Sequence, residues 1–558
     1  MSWKIIEKHR KILAAERGAV VKGWGGKLTV CLVYPNRYRT AMSNLGFQTV
    51  YSLLNDEPDV LCERAFLPDP EDLHEYEKSG SRLLSLESQR PLAEFDLIAF
   101  SVSFESDYLN IPSIFTLAGL PPMSTQRDAS HPLVMGGGAA LFLNPEPVAD
   151  LLDLVCVGEA EPVLPGLMEL LGRRETRDRR QLLEDATRIP GIYVPSLYEI
   201  GYDGARIASF RPVNGAPATV NRAWVEALDR APTVSVVLTP DTEFADMHLV
   251  EISRGCPRGC RFCAAGFIYL PYRQRSFEAL REQITSGLGQ REKIGLVGAA
   301  VSDHRELGKL CAHIMEQGGK VSVSSLRIDR LDDAMIEALK KSGHKTVALA
   351  PEGGSQRLRD LINKNIDEEQ ILAACDRLIG HDILNLKLYF IIGLPTETDA
   401  DIDELIALVE KIRARVIEAA RARGRLGEVV LSVNPFVPKP FTPFQWCGME
   451  KLKSLEMKGK RLQQAFGRLS NVRLSMESPK EAYLQAMISR GDRRLASLLV
   501  RAAELGSWKR AAREMGMDTD PWAHRSIPLD ERLPWDFIES VPKARLVTEY
   551  RQAFTQVS

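Results

Sequence analysis

The chain has 558 residues, of which 44% are hydrophobic and 26% charged. This composition is typical of globular proteins and excludes disordered, collagen-like and disulfide-scaffold chains, while the length predicts several domains of ~150 residues. With 72 basic and 74 acidic residues the net charge is -2, so no global field draws the chain onto nucleic acid or anionic lipid.

Apolar stretches and cysteines indicate the compartment. No uncharged apolar run reaches the roughly 18 residues of a membrane span, and charges interrupt the apolar stretch at the start. Nine cysteines in 558 residues are sparse, which is typical of a reducing compartment. We therefore expect a cytoplasmic protein that does not enter a membrane.

Residues 1–26 are predicted to be an N-terminal helix, and residues 27–190 alternate between short apolar runs and segments of helical periodicity. The runs KLTVCLVYP, FDLIAFSVS, PLVMGGG and LDLVCVGE lead into Pro, Ser or Gly, as buried parallel strands do. The pattern predicts an α/β domain, a flavodoxin-like (Rossmann-like) doubly wound sheet. Such sheets bind ligands at the carboxyl ends of their strands.

The rest of the chain is predicted to hold three further parts. Residues 191–246 contain a candidate hairpin, YEIGYDGARIASF, and we interpret them as a linker module. Residues 247–445 hold six candidate strands separated by helical segments, which predicts a (βα)6 partial TIM barrel. The strands are HLVEIS, KIGLVGAA, VSVSSLRI, TVALAPE, LNLKLYFII and EVVLSVNPFV. Residues 446–558 are predicted to form a mostly helical C-terminal domain.

Three cysteines lie within eight residues, in the motif C-x3-C-x2-C formed by Cys256, Cys260 and Cys263, directly after the first strand of this barrel. Three thiolates are one short of the four that fill a 4Fe-4S cluster, so one iron would keep an open position for a substrate or cofactor. Two alternatives are a zinc site, for which no second close-spaced Cys or His pair follows, and three unrelated buried cysteines.

With Phe262 before its third cysteine, this loop resembles that of the radical S-adenosylmethionine (radical SAM) superfamily, and the resemblance covers residues 248–445. It implies that the three cysteines ligate one 4Fe-4S cluster, whose open iron chelates S-adenosylmethionine for reductive cleavage to a 5'-deoxyadenosyl radical. It also implies cofactor contacts near the strand ends, although helix capping, an ion pair or a plain turn would explain some of them. The candidates are Phe262, Gly298, Ser325, Arg327, Glu352, Gly393 and Leu394.

The domain order resembles the subclass of radical SAM proteins with an N-terminal cobalamin (B12)-binding-like domain, and in particular a bacterial family of such proteins. The loop after the first strand lacks the His that ligates cobalt in typical cobalamin domains, so we expect cobalamin bound with no His on cobalt. A domain that has lost cobalamin and serves as scaffold is the alternative. The resemblance suggests these contacts: Asn36, Arg37, Tyr38, Met42, Asn44, Ser101, Ser103, Gly136, Gly137, Gly138, Gly158 and Glu159.

Together these features predict a radical SAM enzyme that transfers a methyl group, with cobalamin, to an unactivated carbon or another poor nucleophile. The alternatives are a cobalamin-free radical enzyme (hydrogen abstraction, rearrangement or methylthiolation) and a non-catalytic iron-sulfur sensor or assembly protein. Methylthiolation is disfavoured because Cys31, Cys62 and Cys156 do not match the three-cysteine N-terminal domain of methylthiotransferases. The resemblance implies an electron donor such as flavodoxin or ferredoxin. Nucleic-acid binding has no support, since Arg-rich stretches are usually solvated helix faces.

Overall fold

The computed structural model describes residues 2–173, 178–323 and 326–555. The predicted contact Ser325 lies outside these ranges. Within them, no helix is long and apolar enough to cross a membrane.

The N-terminal domain is a parallel sheet with helices on both faces. Its described strands are β1 (Leu28–Tyr34), β2 (Val60–Phe66), β3 (Leu97–Ser101), β4 (Leu133–Gly137), β5 (Leu154–Cys156) and β6 (Ile192–Tyr193). Its helices are α1 (Trp3–Ala15), α2 (Tyr38–Met42), α3 (Leu45–Asp56), α4 (Pro70–Ser79), α5 (Asn110–Ala118), α6 (Ala139–Leu143), α7 (Leu164–Gly172) and α8 (Arg179–Ala186). The strand order is β2-β1-β3-β4-β5-β6, with only β6 antiparallel. The first five strands confirm the flavodoxin-like prediction.

Strand β2 was not among the apolar runs named from the sequence, because it carries charges. Its segment VLCERAF includes Glu63 and Arg64, which break the hydrophobic signal of a buried strand. Arg64 is fully buried in the fold, and Glu16 and Glu87 neutralise it at 2.6 Å and 2.7 Å. Such pairing is what allows a charged residue inside a core.

The linker module contains the predicted hairpin. Strands β7 (Tyr198–Asp203) and β8 (Arg206–Pro212) pair antiparallel, and the short strand β9 (Val220–Asn221) follows.

The second α/β series forms a partial barrel. Its described parallel strands are β10 (Met247–Glu251), β13 (Lys293–Val297), β14 (Lys320–Val323), β15 (Thr346–Glu352), β16 (Asn385–Ile392), β17 (Glu428–Pro435) and β18 (Val472–Met476), and a small ribbon pairs β11 (Ser253–Arg254) with β12 (Arg273–Gln274). The helices are α9 (Ala265–Ile268), α10 (Phe277–Leu288), α11 (Leu307–Glu316), α12 (Asp333–Lys341), α13 (Gln356–Leu361), α14 (Glu368–Gly380), α15 (Asp399–Ala422) and α16 (Leu452–Phe466). The orders are β10-β13-β14 and β15-β16-β17-β18, and the N–H of Leu326 donates to the O of Ala348 between them (3.4 Å).

The helical prediction is wrong for β18, which adds a seventh parallel strand to the described barrel. Its five residues, VRLSM, have two exposed polar side chains and give a weak strand signal. The longest described helix of the barrel, α15, begins at a capping box between Thr398 and Asp401. Its predicted apolar stripe, which includes Ile402, Leu405 and Val409, is buried against the sheet.

The C-terminal region is mostly helical, as predicted. It contains α17 (Pro479–Ser489), α18 (Leu495–Leu505), α19 (Trp508–Glu514), α20 (Asp520–His524), the short strand β19 (Ile538–Glu539) and α21 (Lys543–Thr555). Strand β19 pairs with β9 of the linker. The amide of Asn144 donates to the backbone oxygens of Ser489 (3.1 Å) and Gly491 (2.8 Å). These contacts tie the C-terminal helices to the N-terminal domain.

Candidate functional site

The cysteine loop spans residues 255–272 at the carboxyl end of β10, the edge where parallel barrels place their active sites. The β11–β12 ribbon closes its base by pairing Arg254 with Arg273. Gly255 turns the chain into the loop with φ +87°, and a Cβ there would lie 2.5 Å from the backbone O of Tyr269. Only glycine fits this turn.

The three cysteines form no disulfide bonds, and backbone N–H groups act on the pKa of two of them. Backbone N–H groups, of Arg258 at Cys256 and of Ala265 and Gly266 at Cys263, lower the pKa of these two thiols and so favour the thiolate. Burial raises the pKa of all three thiols, to about 11 for Cys263. A cationic partner offsets the free-energy cost of burying a thiolate charge, so the three thiols become thiolates when such a partner binds. Backbone N–H groups near sulfur are a feature of iron-sulfur sites.

The donor set suits a cluster better than a single ion. In the described part of the chain, no three His, Cys, Asp or Glu side chains are arranged to hold one metal ion. A 4Fe-4S cluster does not need that arrangement, because each thiolate binds a different iron. Three soft ligands on one loop, with backbone N–H groups that favour the thiolate at two of them, therefore fit the cluster that the sequence predicts.

Two anchors fix the loop against the barrel and the C-terminal helix. The Arg261 guanidinium donates to the O of Leu361 at 2.9 Å and to Glu549 of α21 at 3.2 Å. The Asn363 amide donates to the O of Gly259 at 3.0 Å. The position of the cysteines is thus set by contacts that do not involve the sulfurs.

Glu352 lies beside the cysteine loop, at the carboxyl end of β15. It does not cap α13, because Ser355 does so by accepting from the N–H of Leu358. Its backbone has a positive φ of 65°, which is uncommon for a residue with a side chain. Burial raises the pKa of Glu352, and Lys364, 3.5 Å away, opposes that rise. Both charges also act on the pKa of the Cys260 thiol, which Lys364 lowers and Glu352 raises.

Arg327 belongs to an ion-pair network beside the same loop. Its Nε donates to Asp329 at 2.8 Å, and Arg258 of the loop pairs with Asp303 at 2.5 Å and with Asp329 at 3.4 Å. The network is partly buried, so Arg327 is not a free surface charge. Its positive charge also lowers the pKa of the Cys260 thiol.

The remaining predicted SAM residues have different surroundings. Gly393 forms a strand-to-helix turn with φ +76°, and its N–H donates to Glu397 at 2.8 Å. Leu394 is buried in a small apolar cluster against which Phe262 packs, so the two predicted residues contact the same cluster. Gly298 follows β13 and lines the large cavity described next.

A cavity of about 630 Å³ lies between the N-terminal sheet and the first three barrel strands. One part is an apolar slot between the sheet and helices α3 and α7, lined by Leu32, Val50, Leu54, Leu97, Ala99, Met135, Leu164 and Met168. The other part follows the carboxyl edge of the sheet and opens onto the barrel. The sequence pointed to the edge through its glycines and serines, but nothing in it marked the slot, whose residues are ordinary core types.

Seven of the twelve predicted cobalamin contacts line this cavity: Asn44, Ser101, Ser103, Gly137, Gly138, Gly158 and Glu159. Asn44 caps α3 and its amide donates to Ser103 at 2.9 Å. A Cβ on Gly138 would lie 2.5 Å from the O of Val102. This glycine lets two backbone segments approach closely at the cavity wall.

The other five, Asn36, Arg37, Tyr38, Met42 and Gly136, lie outside the cavity. Helix α2 carries the loop after β1 away from it. The Tyr38 hydroxyl donates to Glu16 at 2.6 Å, and the Met42 sulfur accepts from Arg64 at 3.4 Å. The side chains of Tyr38 and Met42 thus contact other buried groups of the N-terminal domain and do not face the cavity.

A buried ion-pair cluster forms the polar end of the cavity, made of Glu159, Glu161, Glu251, Arg254, Arg273 and Arg275. Arg254 contacts Glu159 at 2.8 Å and both Glu161 and Glu251 at 2.9 Å, and Arg273 contacts Glu159 at 2.6 Å. Burial raises the pKa of Glu159, but the two arginines outweigh it and lower that pKa overall. The cluster joins the loop after β5 to the base of the cysteine loop.

Replacing Arg254 by Met is expected to destabilise the protein by about 3–5 kcal/mol, because three glutamates lose a shared buried partner. Urea unfolding measures the loss. Arg501→Met is the matched control: Arg501 also contacts two glutamates, but its side chain is 42% exposed against 11% for Arg254. We expect its effect to stay within about 1 kcal/mol. Equal effects of the two changes would contradict the structural role of the cluster.

Comparison with known proteins gives matches over both α/β domains. Residues 46–195 match the N-terminal region of radical SAM proteins, and residues 250–409 match the radical SAM superfamily. An uncharacterized protein of Methanocaldococcus jannaschii, MJ0966, is 29% identical over 84% of this chain and 90% of its own length.

Two other relatives match over a shorter region. A tRNA-2-methylthio-N(6)-dimethylallyladenosine synthase of Thermotoga petrophila is 29% identical over 32% of this chain. An uncharacterized methyltransferase of Pyrococcus horikoshii is 26% identical over 34% of it. The chain spans only 44% and 43% of the lengths of these two proteins.

Among solved structures, the radical SAM methyltransferase TsrM of Kitasatospora setae has a TM-score of 0.46 at 14% identity, covering 75% of this chain and 74% of that one. The cobalamin-dependent S-adenosylmethionine radical enzyme OxsB has a TM-score of 0.48 at 14% identity, covering 95% and 80%. The family matches include the cysteine loop and the sheet that precedes it, and the chain therefore belongs to the radical SAM superfamily.

Proposed function

We propose that this radical SAM enzyme is a cobalamin-dependent methyltransferase that acts on an unactivated carbon or another poor nucleophile. The observation that carries the proposal is the 630 Å³ cavity, which joins the carboxyl edge of the flavodoxin-like sheet to the barrel beside the cysteine loop. In such sheets this edge is the ligand-binding edge. A ligand bound at this edge of the first domain would thus lie next to the chemistry of the second.

The shape and polarity of the cavity suit a corrinoid. Cobalamin combines a flat ring with a tail that ends in an aromatic base, and the apolar slot between the sheet and helices α3 and α7 suits such a base. Ser101, Ser103 and the glycines at the edge leave room and polar atoms for the amide-bearing ring. No His is among the described residues that line the cavity, which supports binding without a His on cobalt.

When bound, the cluster would supply an electron and an open iron for S-adenosylmethionine, and cobalamin would supply a methyl carrier. The chain's own residues would bind and orient these groups. Cys256, Cys260 and Cys263 would hold the cluster, and Glu352 would accept hydrogen bonds from cofactor hydroxyls. The ion-pair cluster around Arg254 holds the cysteine loop against the cavity wall.

The positions of the N-terminal cysteines disfavour methylthiolation with an N-terminal cluster, although methylthiolation is the activity named for several relatives. The N-terminal cysteines Cys31, Cys62 and Cys156 lie in strands β1, β2 and β5 and are buried. Burial raises the pKa of each thiol, to about 12 for Cys156. They lie apart in three core strands, whereas the three cysteines of the candidate cluster site lie together on one loop.

Spectra of the anaerobically purified protein from cobalamin-fed cells test the proposal. We expect iron-sulfur absorption together with corrinoid bands, and S-adenosylhomocysteine when reductant, S-adenosylmethionine and a methyl acceptor are present. Iron-sulfur absorption without corrinoid would favour the scaffold alternative. A cluster-loaded protein that never forms S-adenosylhomocysteine, 5'-deoxyadenosine or methylthioadenosine would favour the sensor alternative.

Glu352→Ala is expected to weaken S-adenosylmethionine binding about tenfold or more, the effect of losing a hydrogen bond to a charged group. Calorimetry on the reconstituted holoenzyme measures the affinity, and iron analysis should show an unchanged cluster. Glu428→Ala is the matched control, because Glu428 is a strand glutamate at the opposite, amino end of β17. Unchanged affinity in Glu352→Ala would remove this carboxylate from the binding site.

We also propose a cytoplasmic setting and an electron donor of the flavodoxin or ferredoxin type. Nine unpaired cysteines suit a reducing compartment, and the cluster needs a one-electron reductant. Reduction of the cluster by purified flavodoxin or ferredoxin, followed optically under anaerobic conditions, tests the donor.

A further inference from the structure

Strands β16 and β17 present every second residue to the barrel interior. In β16 the even-numbered residues from Leu386 to Ile392 are fully buried in the core with the apolar face of α15, while the alternate residues are partly exposed. Strand β17 shows the same alternation. Because alternate side chains of a strand point to opposite faces, the partly exposed residues form the inner face of the barrel wall.

The register places cations and hydroxyls in neighbouring rows of this face. Lys387 pairs with Val430, which pairs with Arg473 of β18. One row nearer the carboxyl edge, Tyr389 pairs with Ser432, which pairs with Ser475. These rows are about 6.6 Å apart, at two residues of ~3.3 Å. We call the set of Lys387, Arg473, Tyr389, Ser432 and Ser475 the basic strip.

Lys387 has no carboxylate partner among the residues that the structure describes. Its Nζ lies 4.9 Å from the centre of the Tyr389 ring, which fixes both side chains on one face. Across the described ranges Lys387 forms no ion pair, and the ion pair of Arg473 is a long one, 3.6 Å to Glu428. By contrast, the other described lysines in or near the barrel that are not exposed each contact a carboxylate, namely Lys293, Lys364, Lys439 and Lys458.

We propose that the basic strip binds an oxyanion, a carboxylate or a phosphate, of the substrate. A partly buried lysine without a described carboxylate, together with an exposed arginine two strands away and three hydroxyls in the adjoining row, offers the charge and the donors that such a group needs. The identification of this ligand as substrate rests on the proposed function. Lys387 lies five residues, about 16 Å, below the carboxyl end of β16. A substrate that reaches from the strip to that end is therefore extended.

Titration calorimetry of the reconstituted holoenzyme with inorganic phosphate and with succinate tests the strip and separates the two sources of the oxyanion. One of the two anions should bind. Lys387→Met and Arg473→Met should each weaken that binding about tenfold or more, as expected for a lost charge-assisted hydrogen bond. Lys460→Met, on the exposed face of α16, is the control and should bind like the wild type.

The proposal is overturned if neither anion binds, or if the strip variants bind as tightly as the control. Cluster content and substrate-free cleavage of S-adenosylmethionine should be unchanged in every variant, because the strip lies away from the cysteine loop. These two readouts report on the proposed function independently of anion binding. If the wild-type enzyme does not cleave S-adenosylmethionine, the proposed enzyme activity is rejected. If it cleaves S-adenosylmethionine but binds neither anion, only the proposed role of the basic strip is rejected.

Discussion

A variant with Cys256, Cys260 and Cys263 all replaced by Ala is expected to fold, to hold no 4Fe-4S cluster and to lose all cleavage of S-adenosylmethionine. The ligands are on a loop at the carboxyl edge of the barrel, outside the hydrophobic core strands. The loop keeps its other anchors in the variant, the β11–β12 ribbon and the contacts of Arg261 and Asn363. Folding therefore does not depend on the sulfurs, whereas the cluster does.

Iron and sulfide analysis after anaerobic reconstitution measures the cluster, and circular dichroism follows the fold. Cys447→Ala is the control, because Cys447 is a buried thiol outside the motif and belongs to the apolar cluster against which Phe262 packs. That variant should keep about four irons per chain. A triple variant that still binds four irons and four sulfides would refute the assignment of the ligands.

The cysteine motif and the parallel α/β character of the N-terminal sheet follow from local signals, which is why the sequence could predict them. The motif needs only its own spacing, and a parallel sheet needs only apolar runs separated by helical periodicity. Strand β2 escaped because Glu63 and Arg64 interrupt its run, and their burial depends on Glu16 and Glu87 from distant parts of the chain. The sequence analysis missed strand β18 because its five residues alternate between partly buried apolar and exposed polar side chains, and so short a segment resembles a loop between helices.

The candidate site shows the same limit. Glycines and serines at strand ends pointed to the cavity edge, and Gly137, Gly138 and Ser103 do line it. The sequence placed Tyr38 and Met42 with them, but helix α2 turns their side chains toward Glu16 and Arg64. A loop's direction depends on such tertiary contacts. For the same reason no pattern in the sequence singles out Arg254, whose role comes from three glutamates that only the fold assembles.

Ala99→Trp is expected to abolish corrinoid binding while the cluster and the substrate-free cleavage of S-adenosylmethionine remain. Ala99 lies in β3 at the floor of the apolar slot, paired with Leu32 of β1 and Met135 of β4, which line the slot with it. An indole at this position projects into existing empty space, so the change fills the slot with less of the strain that overpacking a tight core causes. The aromatic base of cobalamin then has no place to insert.

Corrinoid absorption of protein purified from cobalamin-fed cells measures how much corrinoid each variant retains. We expect the affinity of Ala99→Trp for corrinoid to fall by more than about tenfold. Ala99→Ser is the matched control, because it keeps the slot open and should bind corrinoid like the wild type. If Ala99→Trp retains full corrinoid content, the slot does not hold the cofactor tail. If wild type, control and variant all lack corrinoid but cleave S-adenosylmethionine, the first domain serves as scaffold, and the cavity between sheet and barrel is left for the substrate.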